Sequence, residues 1–189
     1  MTGPQLTPPQ DPSSDWEAQL PSSEAREAAL CERLRSLDIA WTMHAHAPVF
    51  TVEEAKNLRG KLDGLHTKNL FLKDKSGGLW LVVAREELNL DLNALSRHLG
   101  VPRFSFGKPA LMAETLGITP GAVTPFALMN DIDLRVGAIF DKTMMAAELL
   151  NFHPLRNDKT MAIAARDLMK FAEATGHVPR LVELPQRAQ

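Results

Sequence analysis

Two apolar runs, His66–Leu72 and Leu79–Ala84, flank the polar stretch Lys73-Asp74-Lys75-Ser76-Gly77-Gly78. Ser-Gly-Gly supplies the positive-φ positions of a tight reversal, so the pattern predicts a β-hairpin. Alternation puts Lys68, Leu70 and Leu72 on one face of the first strand, and Asn69 and Phe71 on the other. The second run is apolar on both faces, as in a strand inside a covered sheet. Upstream, Ser22 or Ser23 caps a helix in which Ala25, Ala29, Leu30, Leu34 and Leu37 recur at helical spacing. Ile39–Ala45 reads as a strand, and Thr51-Val52-Glu53-Glu54 as a capping box opening a short helix.

Downstream of the hairpin, Asp91 caps a helix with Leu92, Leu95 and Leu99 on one side, stopped by Gly100. Val101–Phe106 is extended, and Pro109 opens a helix to Leu116 that Gly117 ends. After the loop Ile118–Pro125, the pattern predicts a strand over Ile132–Phe140, a helix over Lys142–Leu150 and a turn at Asn151-Phe152-His153-Pro154. Thr160–Ala164 follows as a strand, Arg166–Thr175 as a helix closed by Gly176, and Val178–Leu184 as a last extended run. Strands and helices interleave irregularly around at least one hairpin. The expectation is a single α+β domain over residues 22–189, with a mixed, mostly antiparallel sheet and surrounding helices.

Composition adjusts this picture at the N-terminus. Residues 1–21 carry five prolines among Ser, Gln and Asp, a composition that buries too little to offset ordering, so the segment is expected to be disordered, with Trp16 and Leu20 docking locally. It also holds three acids and no Lys or Arg, so of the net charge of −2 the body carries +1. Such a body binds nucleic acid only through a local basic patch, with marked salt sensitivity. No stretch approaches the ~20 apolar residues of a membrane span. The one cysteine, Cys31, excludes an internal disulfide and fits a reducing cytoplasm; on the apolar side of its helix it reads as a packed thiol.

Candidate chemistry is sparse. Only His44 and His46 place two imidazoles on one strand face, without a thiolate or carboxylate cluster, so no metal is expected. Neither a phosphate-cradling glycine loop nor a Gly-x-Ser-x-Gly elbow occurs. What remains is Lys68-Asn69 and the stiff loop Gly121–Pro125. Lys68 sits where a strand enters apolar surroundings: it either snorkels to water or is held for chemistry. A loop starting in Gly and ending in Pro either connects two elements or points backbone N–H groups at an oxyanion or carbonyl oxygen.

In this order, His46-Ala-Pro-Val-Phe-Thr51, Lys68-Asn69-Leu-Phe-Leu, Gly121-Ala-Val-Thr-Pro125, Asn151-Phe-His153-Pro-Leu-Arg-Asn-Asp158, Asp167-Leu-Met-Lys-Phe and Gly176-His-Val-Pro resemble the YbaK-like aminoacyl-tRNA deacylases. That family includes the editing insertion of bacterial prolyl-tRNA synthetases and its free-standing relatives, and the set is most similar to the free-standing alanyl-tRNA(Pro) deacylase branch. The resemblance covers about residues 25–184. It implies hydrolysis of the ester joining a wrongly attached amino acid to the tRNA 3′ end, with Lys68 essential near the carbonyl or terminal ribose and Asn69 in support. Gly121, Ala122, Val123, Thr124 and Pro125 would hold the aminoacyl group, with His153, Phe50 and Thr51 lining the pocket. Val49, Phe50, Val123 and Phe126 are candidates for a wall that admits alanine and rejects proline. For the tRNA acceptor end the cations Arg103, Lys108, Arg156 and Lys159 are the candidates, against the alternative of a solvated basic face. No cofactor is implied, and the partners are mischarged tRNA(Pro) and prolyl-tRNA synthetase. A deacylase of cysteinyl- or another small aminoacyl-tRNA, and an idle module that only binds aminoacyl-tRNA or a synthetase, are the rival readings.

Overall fold

A computed structural model describes residues 15–46 and 62–187. Asp15–Ala18 form a short helix, α1, inside the stretch expected to be disordered, and Trp16 and Leu20 are half-buried. The longer α2, Ser23–Ser36, begins where the Ser22 hydroxyl accepts from the Ala25 amide at 3.2 Å, satisfying one of the donors a helix start leaves open. The capping box at residues 51–54 lies outside the described residues.

Eight strands follow: β1 (Trp41–Ala45), β2 (Leu65–Asp74), β3 (Leu79–Arg85), β4 (Phe104–Phe106), β5 (Val136–Asp141), β6 (Leu149–Phe152), β7 (Lys159–Ala164) and β8 (Arg180–Val182). They form one mixed sheet ordered β1-β7-β6-β2-β3-β5-β8, with β4 paired to β2. Pairings β1·β7, β2·β3, β2·β4 and β6·β7 are antiparallel; β2·β6, β3·β5 and β5·β8 are parallel. The helices are α3 (Leu92–Leu99), α4 (Pro109–Leu116) and α5 (Ala165–Ala174), with a 3-10 segment at Pro125–Asn130. Asp91 accepts from the Asn93 and Ala94 amides at 2.9 Å, and α3 and α4 end on left-handed glycines, Gly100 and Gly117, the backbone state glycine adopts without penalty.

Side chains on the two faces of β2, β3 and β5 feed two cores. Phe71, Leu81, Val83 and Phe140 point into the larger, with Leu30, Leu34, Phe126 and Phe171. Leu72, Val82, Ala84 and Ile139 point into the smaller, with Leu88, Leu95 and Phe104. The hairpin strands are therefore covered on both sides, as the apolar run in β3 implies.

Three expectations are corrected. The helix expected over residues 142–150 is only a 3-10 turn at Met144–Ala146, and Leu149 starts β6. Asn151 and Phe152, expected in a turn, belong to β6, paired with Ala162 and Met161. Helix-forming residues are overruled there by pairing on both sides of the strand. β5 begins at Val136, and Ile132, placed in it by the sequence, is 85% exposed.

The sheet opens at one place. β6 pairs with β2 at Leu65 and His66, and β4 pairs with the same side of β2 from Leu72 onward. Among the described residues, Thr67–Leu70 have a strand neighbour on the β3 side only.

Candidate active site

Lys68 and Asn69 occupy that opening. Lys68 lies opposite Ala84 and Asn69 opposite Val83, so the two side chains leave β2 on opposite faces. The Lys68 ammonium donates to the Leu88 carbonyl; an ammonium has three protons, so two remain for a ligand. Burial pushes the Lys68 amine below its ordinary value, while Glu86 and Glu87 pull the other way.

Asn69 reaches the glycine-to-proline loop directly: its Nδ2 donates to the Val123 carbonyl at 3.0 Å. Its Oδ1 is buried and has no hydrogen-bond partner among the described residues. Loop and strand are thus joined through Asn69 rather than Lys68. In the loop, Gly121 has φ of +87° while the nearest atom to an added Cβ, Asn157 Nδ2, would be 3.7 Å away. Glycine is required there by backbone conformation, not by crowding. The Ala122 amide is taken by the Thr119 carbonyl at 3.1 Å, and the Phe126 amide by the Thr124 hydroxyl at 3.4 Å. Among the described residues the amides of Gly121, Val123 and Thr124 have no protein acceptor; Gly121 is exposed, Val123 half-buried and Thr124 fully buried.

Pro125 opens the 3-10 segment and is buried. Behind it the Phe126 ring stands edge-on to Phe152 (5.7 Å) and Phe171 (5.3 Å), geometry worth about 0.5–1.5 kcal/mol per pair. Phe126, fully buried, backs the loop; Val123, half-buried, is the apolar loop residue nearer its surface. Phe50 and Thr51, with Val49, lie outside the described residues.

His153 follows the end of β6. Continuing the β2·β6 register beyond His66–Asn151 puts it level with Lys68 across the opening. Its Nδ1 faces the Lys159 carbonyl at 3.1 Å; a carbonyl only accepts, so Nδ1 carries the proton and Nε2 is the acceptor of the neutral ring. Burial lowers the His153 pKa and nearby His46 adds to this, opposed by the bond to Lys159 and by Asp158 and Glu86. Glu86 thus acts electrostatically on both Lys68 and His153. His46 itself meets the Thr160 hydroxyl at 3.1 Å. Among the described residues no group of three or more His, Cys, Asp or Glu is placed to hold a metal ion.

Residues 46–171, a span that includes Lys68, the 121–125 loop and His153, match the aminoacyl-tRNA editing domain family. The chain belongs to that family, the YbaK-like editing proteins. This editing domain is similar to prolyl-tRNA synthetase associated domain-containing protein 1 of Danio rerio, 40% identical over 150 residues, or 78% of this chain and 82% of that one. It is also similar to the prolyl-tRNA editing protein ProX of Acetoanaerobium sticklandii, 33% identical over 162 residues, covering 85% and 98%. A solved structure described as a candidate trans-editing enzyme for prolyl-tRNA synthetase superposes with a TM-score of 0.66 at 20% identity, over 89% of this chain and 99% of that one. That likeness establishes a shared fold.

Within the editing domain the four cations divide. Arg103 and Lys108 are exposed, on either side of β4. Arg156, with a side chain 12% exposed, pairs with Asp158 (Nη2 to Oδ2, 2.6 Å), Glu27 (3.0 Å) and Glu24 (3.1 Å), and Lys159 with Glu27 (2.7 Å). Both are committed to holding α2 against the segment that carries His153. Glu86 and the Leu88 carbonyl escape a motif reading. A glutamate after a strand has no distinctive signal, and a backbone carbonyl leaves none in a sequence.

Proposed function

We propose that the chain is a free-standing hydrolase that deacylates alanyl-tRNA(Pro), acting in trans beside prolyl-tRNA synthetase in the cytoplasm and without a metal or cofactor. The Asn69–Val123 hydrogen bond carries this reading, because it ties the Lys68-Asn69 strand to a loop with open amide donors. Membership in the editing family and the names of the relatives support it. An aminoacyl ester is already activated. Water adds to its carbonyl carbon, negative charge gathers on the carbonyl oxygen, and the carbon–oxygen bond to the ribose then breaks, releasing alanine and the tRNA hydroxyl. Donors aimed at that oxygen are worth about 2.7–4 kcal/mol each. The Gly121, Val123 and Thr124 amides serve in that role, with the spare Lys68 protons on the ester or terminal ribose. His153 Nε2 and Asn69 Oδ1 are the acceptors for the water and the amino group.

Such an enzyme answers a physical need. A synthetase pocket sized for proline gains only about 1–3 kcal/mol against a substrate lacking a methylene, so alanine passes, and a second, tighter cavity bounded by Val123 then removes it. The acceptor end lies along Arg103 and Lys108, with Arg156 and Lys159 behind the site.

Alanyl-, cysteinyl-, seryl- and prolyl-tRNA(Pro) presented to the protein in EDTA-containing buffer test the reading. The expected result is turnover of alanyl-tRNA(Pro) at least tenfold above the others, and at least a 10²-fold loss in a folded Lys68→Ala variant. Preference for another ester overturns the substrate assignment, full activity of the variant overturns the role of Lys68, and inhibition by EDTA overturns the metal-free mechanism.

A further inference from the structure

His177 is buried (4% exposed), and its Nε2 lies 3.0 Å from Oδ2 of the equally buried Asp131. A carboxylate only accepts, so Nε2 carries the proton. Asp131 also takes the Arg135 amide on Oδ1 at 3.0 Å and the Val136 amide on Oδ2 at 2.8 Å. Nδ1 of His177 lies 3.0 Å and the Ala172 carbonyl 2.7 Å from the Thr175 hydroxyl, and these two acceptors share its single proton. The pair therefore links the end of α5 to the start of β5.

Asp131 is also where the 3-10 segment stops: its amide closes the last turn on the Leu128 carbonyl at 3.2 Å. The other end of the segment is the loop with the open amides. One helix and its exit thus grip the segment twice, Phe171 against Phe126 near the loop and His177 on Asp131 at the far end. A six-residue 3-10 stretch has poorer hydrogen-bond geometry than an α-helix, so its course depends on what clamps it.

We propose that His177 is a positioning residue for the carbonyl cradle: by holding Asp131 it fixes the Pro125–Asn130 segment and, through it, the amides of Val123 and Thr124. The proposal rests on the deacylase reading above. Misplacing such donors by about 1 Å costs on the order of 10²-fold in rate.

Three variants test it. His177→Ala removes the grip; His177→Asn keeps a polar side chain too short to reach Asp131; His177→Gln restores a donor near Nε2. On alanyl-tRNA(Pro), His177→Ala and His177→Asn are expected to lose at least tenfold in kcat with KM within twofold of the parent, and His177→Gln to recover most of it. Amide hydrogen exchange without substrate should speed at Phe126, Ala127 and Asp131 in the first two variants only. If His177→Ala does not fold, His177→Asn carries the comparison. A folded His177→Ala or His177→Asn variant with parental kcat overturns the proposal, even with a lowered melting temperature. If the parent itself shows no turnover, the deacylase reading fails, and unchanged exchange at those three amides overturns the clamp separately.

Discussion

Neighbouring residues on a strand cannot share a face, and β2 uses this at Lys68 and Asn69: one turns to the Leu88 carbonyl, the other to Val123. The stretch Thr67–Leu70 that carries both lies between the β6 and β4 pairings of β2, and Glu86 acts electrostatically on both Lys68 and His153. His153 also marks the pH response of the fold. Its pKa is lowered by burial, so between that lowered value and the ordinary value near 6.5 the unfolded chain binds the extra proton and stability rises with pH. The contribution is complete above about pH 6.5 and is lost as pH falls through the folded-state value. Melting curves from pH 7.5 to 4.5 should show a steeper acid loss for the parent than for His153→Gln, which has no ring to protonate; parallel curves would remove His153 as the source.

At the scale of elements, α2 is fastened to the 153–159 segment by Glu27, whose carboxylate meets both Arg156 and Lys159. Arg156 beside Asp158 holds that carboxyl below the usual carboxylate range. Removing one partner of a partly buried network leaves a cation uncompensated, so Glu27→Gln should cost about 1–3 kcal/mol. It should also lower kcat by loosening the backbone that carries His153; denaturant titration and single-turnover rates measure the two. Local signals explain which elements can be read from the chain. Asp91, Gly100 and Gly117 act on neighbours within four residues, so their helices stand where the pattern predicts. Lys142–Leu150 is read as helix because its residues favour one, yet β2 and β7, distant in sequence, claim Leu149 and Leu150 for a strand and leave only a 3-10 turn before them. The motif residues of the site are legible too, but not the division of labour that puts Asn69 on the loop and Arg156 in the scaffold. That depends on the side chains opposite them, which only the folded chain brings near.

For the whole molecule, a body of nearly zero net charge has to draw its polyanionic substrate through few cations. Arg156 and Lys159 are held in ion pairs, whereas Arg103 and Lys108 are exposed, and on the proposed reading these two meet the acceptor end. Arg103→Glu with Lys108→Glu should raise KM several-fold at unchanged kcat, and lower the slope of log(kcat/KM) against log salt by about 1 for each phosphate no longer neutralised. An unaltered salt slope would place the acceptor stem elsewhere. The interrupted strand has one more consequence. An unpaired stretch of edge inside a sheet invites any extended chain to zip onto it, the beginning of aggregation, and a lone charge there deters the intruder. On that stretch the charge is Lys68, so an apolar residue in its place is expected to promote association between copies of the chain, whatever its part in turnover.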